Sequence, residues 1–389
     1  MNDAQRRQPL LEVSDLVAAG VPLPFQVLDA QGRLLLAAGQ TIAGARQLDA
    51  LFERGACVVW AEAEAVRQAR AQAAAAGAPR PAARRDPTLF DGWEQHLWAL
   101  DTLLRTLGRD PAQRAAIEAR ADIHTALVDR HPDAALFLCV RQDDRRFALY
   151  GLAHALHTAT VVQLTARVFG LPPERVRTLV RAALTMNASI VELQARMAEQ
   201  TDPPGKRQMD EIRAHPRASA QKLRDGGIID AEWLALVEHH HEQAGGGGYP
   251  RGLEQVDDLA RLLRAADVFM AKISPRALRA PLLPQMAARQ LFQEEAGSPL
   301  AAALIKAVGV YPPGDFVRLR NGDIAVVTHR AAAGAAVQAV AVLDARGRPV
   351  TQAPQRDTAA TDHAIVGPVT ERADLPRVLP EQVYGLLPP

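Results

Sequence analysis

Three histidines run consecutively, His239 to His241, and lead through Glu242-Gln243-Ala244 into four glycines closed by Tyr249-Pro250. Imidazole is the commonest metal-binding side chain in proteins. A glycine run lets the main chain approach a ligand closely. Together they point to a metal beside an anion. Neighbours on a helix diverge by about 100°, so His240 and His241 reach two ions, or one ion across an unwinding helix end. Other candidates are polar residues on apolar helical stripes. His157 shares a face with Val161, Leu164 and Val168, at offsets of four, seven and eleven. Asp267 lies beside Leu259, Leu263, Ala266 and Met270. A carboxylate in such a stripe is costly unless paired or metal-bound. His215 precedes Pro216, which predicts a break in its helix. Each residue also has a plain structural alternative: a core histidine bonded to a carbonyl, an aspartate paired with Arg264 or Arg279, a flexible glycine loop.

The elements that must carry these residues are mainly helical. Residues 1–65 read as a small α/β unit, with a hairpin turn at Asp29-Ala30-Gln31-Gly32 between two apolar runs. Residues 66–88, rich in Ala, Arg and Pro, read as a helix fraying into a linker. Residues 89–309 read as one all-α domain. Its expected helices cover 90–107, 111–129, 133–142, 150–169, 173–198, 207–225, 230–241, 256–272, 284–295 and 299–308. Residues 310–389 read as a small β appendage, because Asn321-Gly322 between β-branched runs is a strong hairpin signal.

Composition excludes some functions. The chain has 389 residues, 48% of them hydrophobic, and a net charge of +1. That balance gives no bulk-charge reason for a nucleic-acid or membrane partner. Cys57 and Cys139 sit in apolar runs and read as buried free thiols of a reducing cytosol. Residues 1–9 carry no apolar signal core, and no run is long enough to span a bilayer, so a cytoplasmic protein is expected.

The constellation resembles the HD-GYP family of bacterial cyclic di-GMP phosphodiesterases, a branch of the HD phosphohydrolases. The matching residues are His157-Thr158, His215-Pro216, His240-His241-Glu242, Gly246, Gly248-Tyr249-Pro250, Gly252-Leu253, Ala266-Asp267-Val268-Phe269, and Arg276 with Arg279. They extend to Gly309-Val310-Tyr311-Pro312-Pro313-Gly314 and Asn321-Gly322. The resemblance covers about 152–321. It implies an HD-type helical fold, with His215, His240 and His241 serving one metal and His157 with Asp267 another. It implies a nucleotide or partner loop at Gly246, Gly248, Tyr249 and Pro250, with Arg276 and Arg279 near phosphate.

The sequence also departs from that family. The His-Asp pair that names it falls on Met186-Asn187, and the Ile-Gly-Lys that follows falls on Ala188-Ser189-Ile190. An asparagine keeps the shape of the bridging aspartate but loses its charge, and an amide oxygen binds transition metals weakly. Paired metals activate water and stabilise the leaving oxygen in such hydrolases, so the resemblance with these losses implies an inactive centre. It implies no cofactor, or one residual divalent ion (zinc, iron or manganese) on the histidines. Met186 and Ile190 extend an apolar stripe through Val176, Leu179 and Ala183, so Met186 reads as filler where an imidazole would stand. Three functions follow: a regulatory module that binds cyclic di-GMP or docks a GGDEF-type signalling protein, an active phosphodiesterase with Glu242 or Glu192 as substitute carboxylate, and a structural helical scaffold.

Overall fold

The computed structural model describes residues 6–42, 44–75, 88–142, 146–331, 336–350, 354–371 and 375–386. They form two compact units. One holds the residues up to Arg105 and the stretch ending at Tyr150; the other holds Thr106 to residue 142 and everything from Gly151 onward.

The first unit contains β1 (Arg7–Pro9), β2 (Val27–Leu28), β3 (Leu34–Leu36), α1 (Ala45–Glu53), β4 (Cys57–Val59), α2 (Trp60–Ala75) and α3 (Leu89–Thr106). Its sheet has the order β1-β4-β2-β3 and is antiparallel throughout. The turn between β2 and β3 is held by Asp29, whose carboxylate accepts from the Gln31 and Arg33 N–H groups and from Arg33 Nε. The Arg54 guanidinium, at the end of α1, forks onto Asp101 of α3 and lies over the Trp98 ring. That buried pair explains why α3, read from sequence as part of the helical domain, packs with the first unit. The linker expected over 66–88 is helical up to Ala75, and 76–87 lies outside the described residues.

The second unit contains α4 (Gln113–Arg130), α5 (Pro132–Val140), α6 (Tyr150–Val168), α7 (Pro173–Thr185), α8 (Val191–Glu199), α9 (Lys206–Asp225), α10 (Ala231–His239), α11 (Asp258–Ile273), α12 (Pro284–Glu294) and α13 (Pro299–Val308). The protein is mainly α, as the periodicity predicts. Three local expectations are corrected. The helix expected over 173–198 is two helices with a turn at 186–190. Ser189 holds that turn, because its N–H donates to Ser219 Oγ and its hydroxyl to His215 O. The helix expected to end at 241 stops at His239. The break expected at Pro216 does not occur, since α9 runs through it.

The β region follows as β5 (Phe316–Leu319), β6 (Ile324–His329), β7 (Gln338–Leu343), β8 (Gln355–Asp357) and β9 (Ile365–Pro368), with a short α14 (Pro380–Val383). The sheet order is β8-β7-β6-β5-β9. The Asn321-Gly322 turn joins β5 to β6, with Gly322 at φ +91° and Asn321 Oδ1 accepting from Asp323 N–H. This sheet is fused to the helices. Phe137 of α5 is buried among Phe316, Val326, Val340, Val369 and Val383. Gly314 passes so close to α5 that a Cβ there would lie 2.8 Å from Phe137 O. Among the described residues, no helix is long and apolar enough to cross a membrane.

The helical core buries titratable groups. On α4, His124 is fully buried and its Nε2 lies 3.4 Å from Thr160 Oγ1. Thr160 donates its own proton to Leu156 O, so the imidazole is the donor. Burial, and then the neighbouring His157, push His124 down to about 3 from 6.5. The unfolded chain therefore takes this proton first as the pH drops, and stability should fall between pH 6.5 and about 3. In chelator, His124→Gln should lose about 1–2 kcal/mol less than the parent between pH 7 and pH 5, read by urea unfolding at the two pH values.

Candidate metal centre

His215 comes from the middle of α9, one residue before Pro216. Proline has no N–H, so the carbonyl four residues back, Ile212 O, loses its helical partner. The His215 ring takes that carbonyl, with Nδ1 at 2.5 Å. His240 caps α10, where the last carbonyls of a helix lack partners. Its Nδ1 lies 2.7 Å from Val237 O. A carbonyl can only accept, so both Nδ1 atoms carry the proton and both neutral rings leave Nε2 bare. These two Nε2 atoms face each other at 3.0 Å. Two lone pairs at that distance repel unless a cation or a proton lies between them.

His241 completes the group, for one nitrogen from each of His215, His240 and His241 lies within 4.8 Å of the others. The unwinding end of α10 therefore lets adjacent histidines converge on one point. Burial first, then His240, pushes His215 down to about 3. Burial lowers His240, and burial and then His240 hold His241 well below its usual value. A proton is thus disfavoured, and the donor set fits a divalent ion. His215, His240 and His241 would hold it, and such an ion supplies Lewis acidity. Imidazole N–H groups donating to main-chain carbonyls are the usual outer support of metal-bound histidine. Trp233 Nε1 donates to Thr185 Oγ1 at 3.0 Å and ties α10 to α7.

Beside the histidines lies Asp267 of α11, almost wholly buried. Its Oδ1 is 2.7 Å from Nε2 of His154 on α6. Burial opposes the charge on Asp267, but the His154 hydrogen bond and the fields of His154, His241 and His240 outweigh it, so the carboxyl is held well below the usual range. The structure thus puts His154, not His157, on Asp267. The burial of α6 agrees with this. Offsets of four, seven, eight and eleven from His154 give Thr158, Val161, Val162 and Thr165, all buried, whereas offset eleven from His157 gives Val168, 40% exposed. His157 instead faces His124, and its backbone carbonyl accepts from Cys139. The arginines weighed as Asp267 partners are engaged elsewhere: Arg264 with Glu295, Arg279 with Ala271 O.

Met186 is fully buried and caps α7. Asn187 and Ile190 are also buried, in the turn held by Ser189. Neither carboxylate weighed as a substitute faces the histidines as a free ligand. Glu242 is fully buried, and its two oxygens accept from Arg251 N–H at 2.6 Å and Leu253 N–H at 3.0 Å. Glu192 lies exposed in the first turn of α8.

The glycine loop is a fixed turn. Gly245 and Gly246 N–H donate to Glu254 O and Leu253 O. A Cβ on Gly248 would lie 2.3 Å from Gln243 N, so only glycine fits there. The anion cradled by loop N–H groups is the chain's own Glu242. Tyr249, followed by a cis bond to Pro250, stacks on His241 with ring centroids 4.7 Å apart. Arg276 and Arg279 lie in the turn after α11, their backbones paired with each other.

Helices that gather histidines from α9 and α10 beside a histidine–aspartate pair from α6 and α11 define an HD-type helical scaffold. The HD domain family matches residues 138–300, and this part of the chain is similar to HD domains of the HD-GYP kind. The chain is 30% identical over 211 residues to the cyclic di-GMP phosphodiesterase PA4108 of Pseudomonas aeruginosa, covering 52% of this chain and 49% of that protein. It therefore spans about half the length of that relative. Among solved structures it is similar to Bd1817, an HDG"Y"P protein of Bdellovibrio bacteriovorus, with a TM-score of 0.50 at 17% identity over 77% of this chain and 98% of that one. That likeness concerns the fold.

Two outcomes follow from this geometry. Pro216→Ala restores an N–H that competes for Ile212 O; zinc affinity should weaken about tenfold while helix content is unchanged, measured by competition with a chromophoric chelator. Glu242→Gln turns one acceptor into a donor facing an N–H, and should cost about 2 kcal/mol of stability, measured by urea unfolding.

Proposed function

We propose that this chain is a non-hydrolytic member of the HD-GYP group that recognises cyclic di-GMP and serves as a regulatory module. The observation that carries this reading is the buried Met186-Asn187 turn. It stands where the resemblance implies the histidine and bridging aspartate of a two-metal centre. A pair of divalent ions needs anionic ligands between them. Asn187 is neutral, Glu242 spends both oxygens on the loop, and Glu192 is exposed. The retained parts support recognition: the turn Gly245–Pro250 is pinned, and Tyr249 presents a ring stacked beside the histidines. Aromatic faces of this kind suit the stacking of a nucleobase. The activity named for the Pseudomonas relative favours a second reading, a phosphodiesterase working with the remaining ligands.

Calorimetric titration with cyclic di-GMP and a hydrolysis assay with zinc, iron or manganese separate these readings. The expected result is saturable binding without turnover. Hydrolysis that disappears in His240→Ala would establish the second reading, and the absence of any binding would leave a structural scaffold. Met186→His with Asn187→Asp should raise the bound metal above the parent, because it restores one imidazole and the bridging charge.

A further inference from the structure

We infer that Arg213 and Arg217, one turn apart on α9, form an anion-binding rim beside the Tyr249-Pro250 turn and hold a phosphate of the cyclic dinucleotide there. This deepens the nucleotide reading above and rests on it. The starting observation is an unbalanced pair of like charges. Both arginines are exposed on α9. Residues four apart on a helix are neighbours, about 6 Å apart along the axis, and like charges at that spacing repel. Elsewhere α9 answers its arginines with carboxylates. Arg207 pairs with Glu211 at 3.3 Å, and Arg224 with Glu238 at 3.5 Å. Among the described residues Arg213 and Arg217 meet no carboxylate, and Asp210, one turn before Arg213, makes no ion pair with it. Arg217 spends one N–H on a neutral carbonyl, with Nη2 3.2 Å from Pro250 O. An anion seated between the two guanidinium groups turns their repulsion into attraction.

The place of the pair matters as much as its charge. The Pro250 contact sets Arg217 against the turn whose Tyr249 ring stacks on His241, with centroids 4.7 Å apart. The rim and the histidine pocket therefore share a wall. Burial first, and then the charge of Asp267, raise the Tyr249 phenol, while Arg213 and Arg264 act against that rise. Both guanidinium groups thus lie within electrostatic reach of the phenol. Arg264 of α11 is committed, with Nη1 3.1 Å from Glu295 Oε1. Past Pro250 the charge is again balanced, since Arg251 Nε is 3.4 Å from Glu238 Oε1. The uncommitted positive charge along this wall is therefore confined to Arg213 and Arg217. A guanidinium presents donors in a planar fork that matches phosphate oxygens, and such charge-assisted bonds are among the stronger ones.

The test is calorimetric titration with cyclic di-GMP at low and at raised salt, on the parent, Arg213→Gln, Arg217→Gln and Arg207→Gln. Arg207→Gln removes the same charge from another face of α9. Arg213→Gln and Arg217→Gln should each weaken binding about tenfold, and the parent's affinity should fall with salt more steeply than theirs. Arg207→Gln should stay within about twofold of the parent. Circular dichroism confirms that each variant is folded. A parent that binds no cyclic di-GMP would sink the nucleotide reading and the rim with it. A parent that binds, with Arg213→Gln binding equally well, would overturn the rim and leave the nucleotide reading standing. An equal loss in Arg207→Gln would reduce the effect to bulk charge and also overturn it. Poly-glutamate is titrated in parallel. If it binds where the nucleotide does not, and loses affinity in the rim variants, the surface belongs to an acidic protein partner and the proposal fails. Should Arg217→Gln disturb the turn through its lost bond to Pro250 O, Arg213→Gln decides.

Discussion

Two imidazole lone pairs held face to face organise the centre of this molecule. Neither His215 nor His240 can turn away, because its Nδ1 proton is tied to a carbonyl that the backbone has left without a partner. At His215 the vacancy comes from Pro216, and at His240 from the end of α10. Each local irregularity of the helix therefore acts on the orientation of a ring. Opening the contact would free a carbonyl inside a low-dielectric interior, so both rings stay aimed at one point.

The same economy appears around the rings. Ser189 bonds Ser219 and His215 O, which locks the 186–190 turn onto α9. That turn carries Met186 and Asn187, both buried. Glu242 uses its carboxylate to close the glycine loop, which sets Tyr249 on His241. The carboxylates near the centre are thus committed, Glu242 to the main chain and Asp267 to His154.

Further out, the terminal sheet and the helices share one apolar interior. Phe137 is surrounded by strand residues, Gly314 admits no side chain against α5, and Arg141 lies 4.4 Å from the Phe316 ring centroid. A sheet packed this closely braces α5 and, through the unit it belongs to, the helices that carry the histidines.

The sequence by itself determined the mainly helical class and the hairpin at Asn321-Gly322, because periodicity and short motifs are local; that His215, His240 and His241 converge was decided by the packing of α9 against the end of α10. The sequence also put a methionine and an uncharged asparagine side by side at 186 and 187. Only the tertiary structure decided that His154 meets Asp267, because two histidines three residues apart on α6 both lie on largely apolar stripes and the partner comes from a helix more than a hundred residues away. It alone decided that α9 continues through Pro216, that 173–198 breaks into two helices, and that Glu242 serves the loop. Each depends on which distant donor or acceptor is at hand. Local propensity is worth less than one buried hydrogen bond, so where the two disagree the packed neighbour prevails.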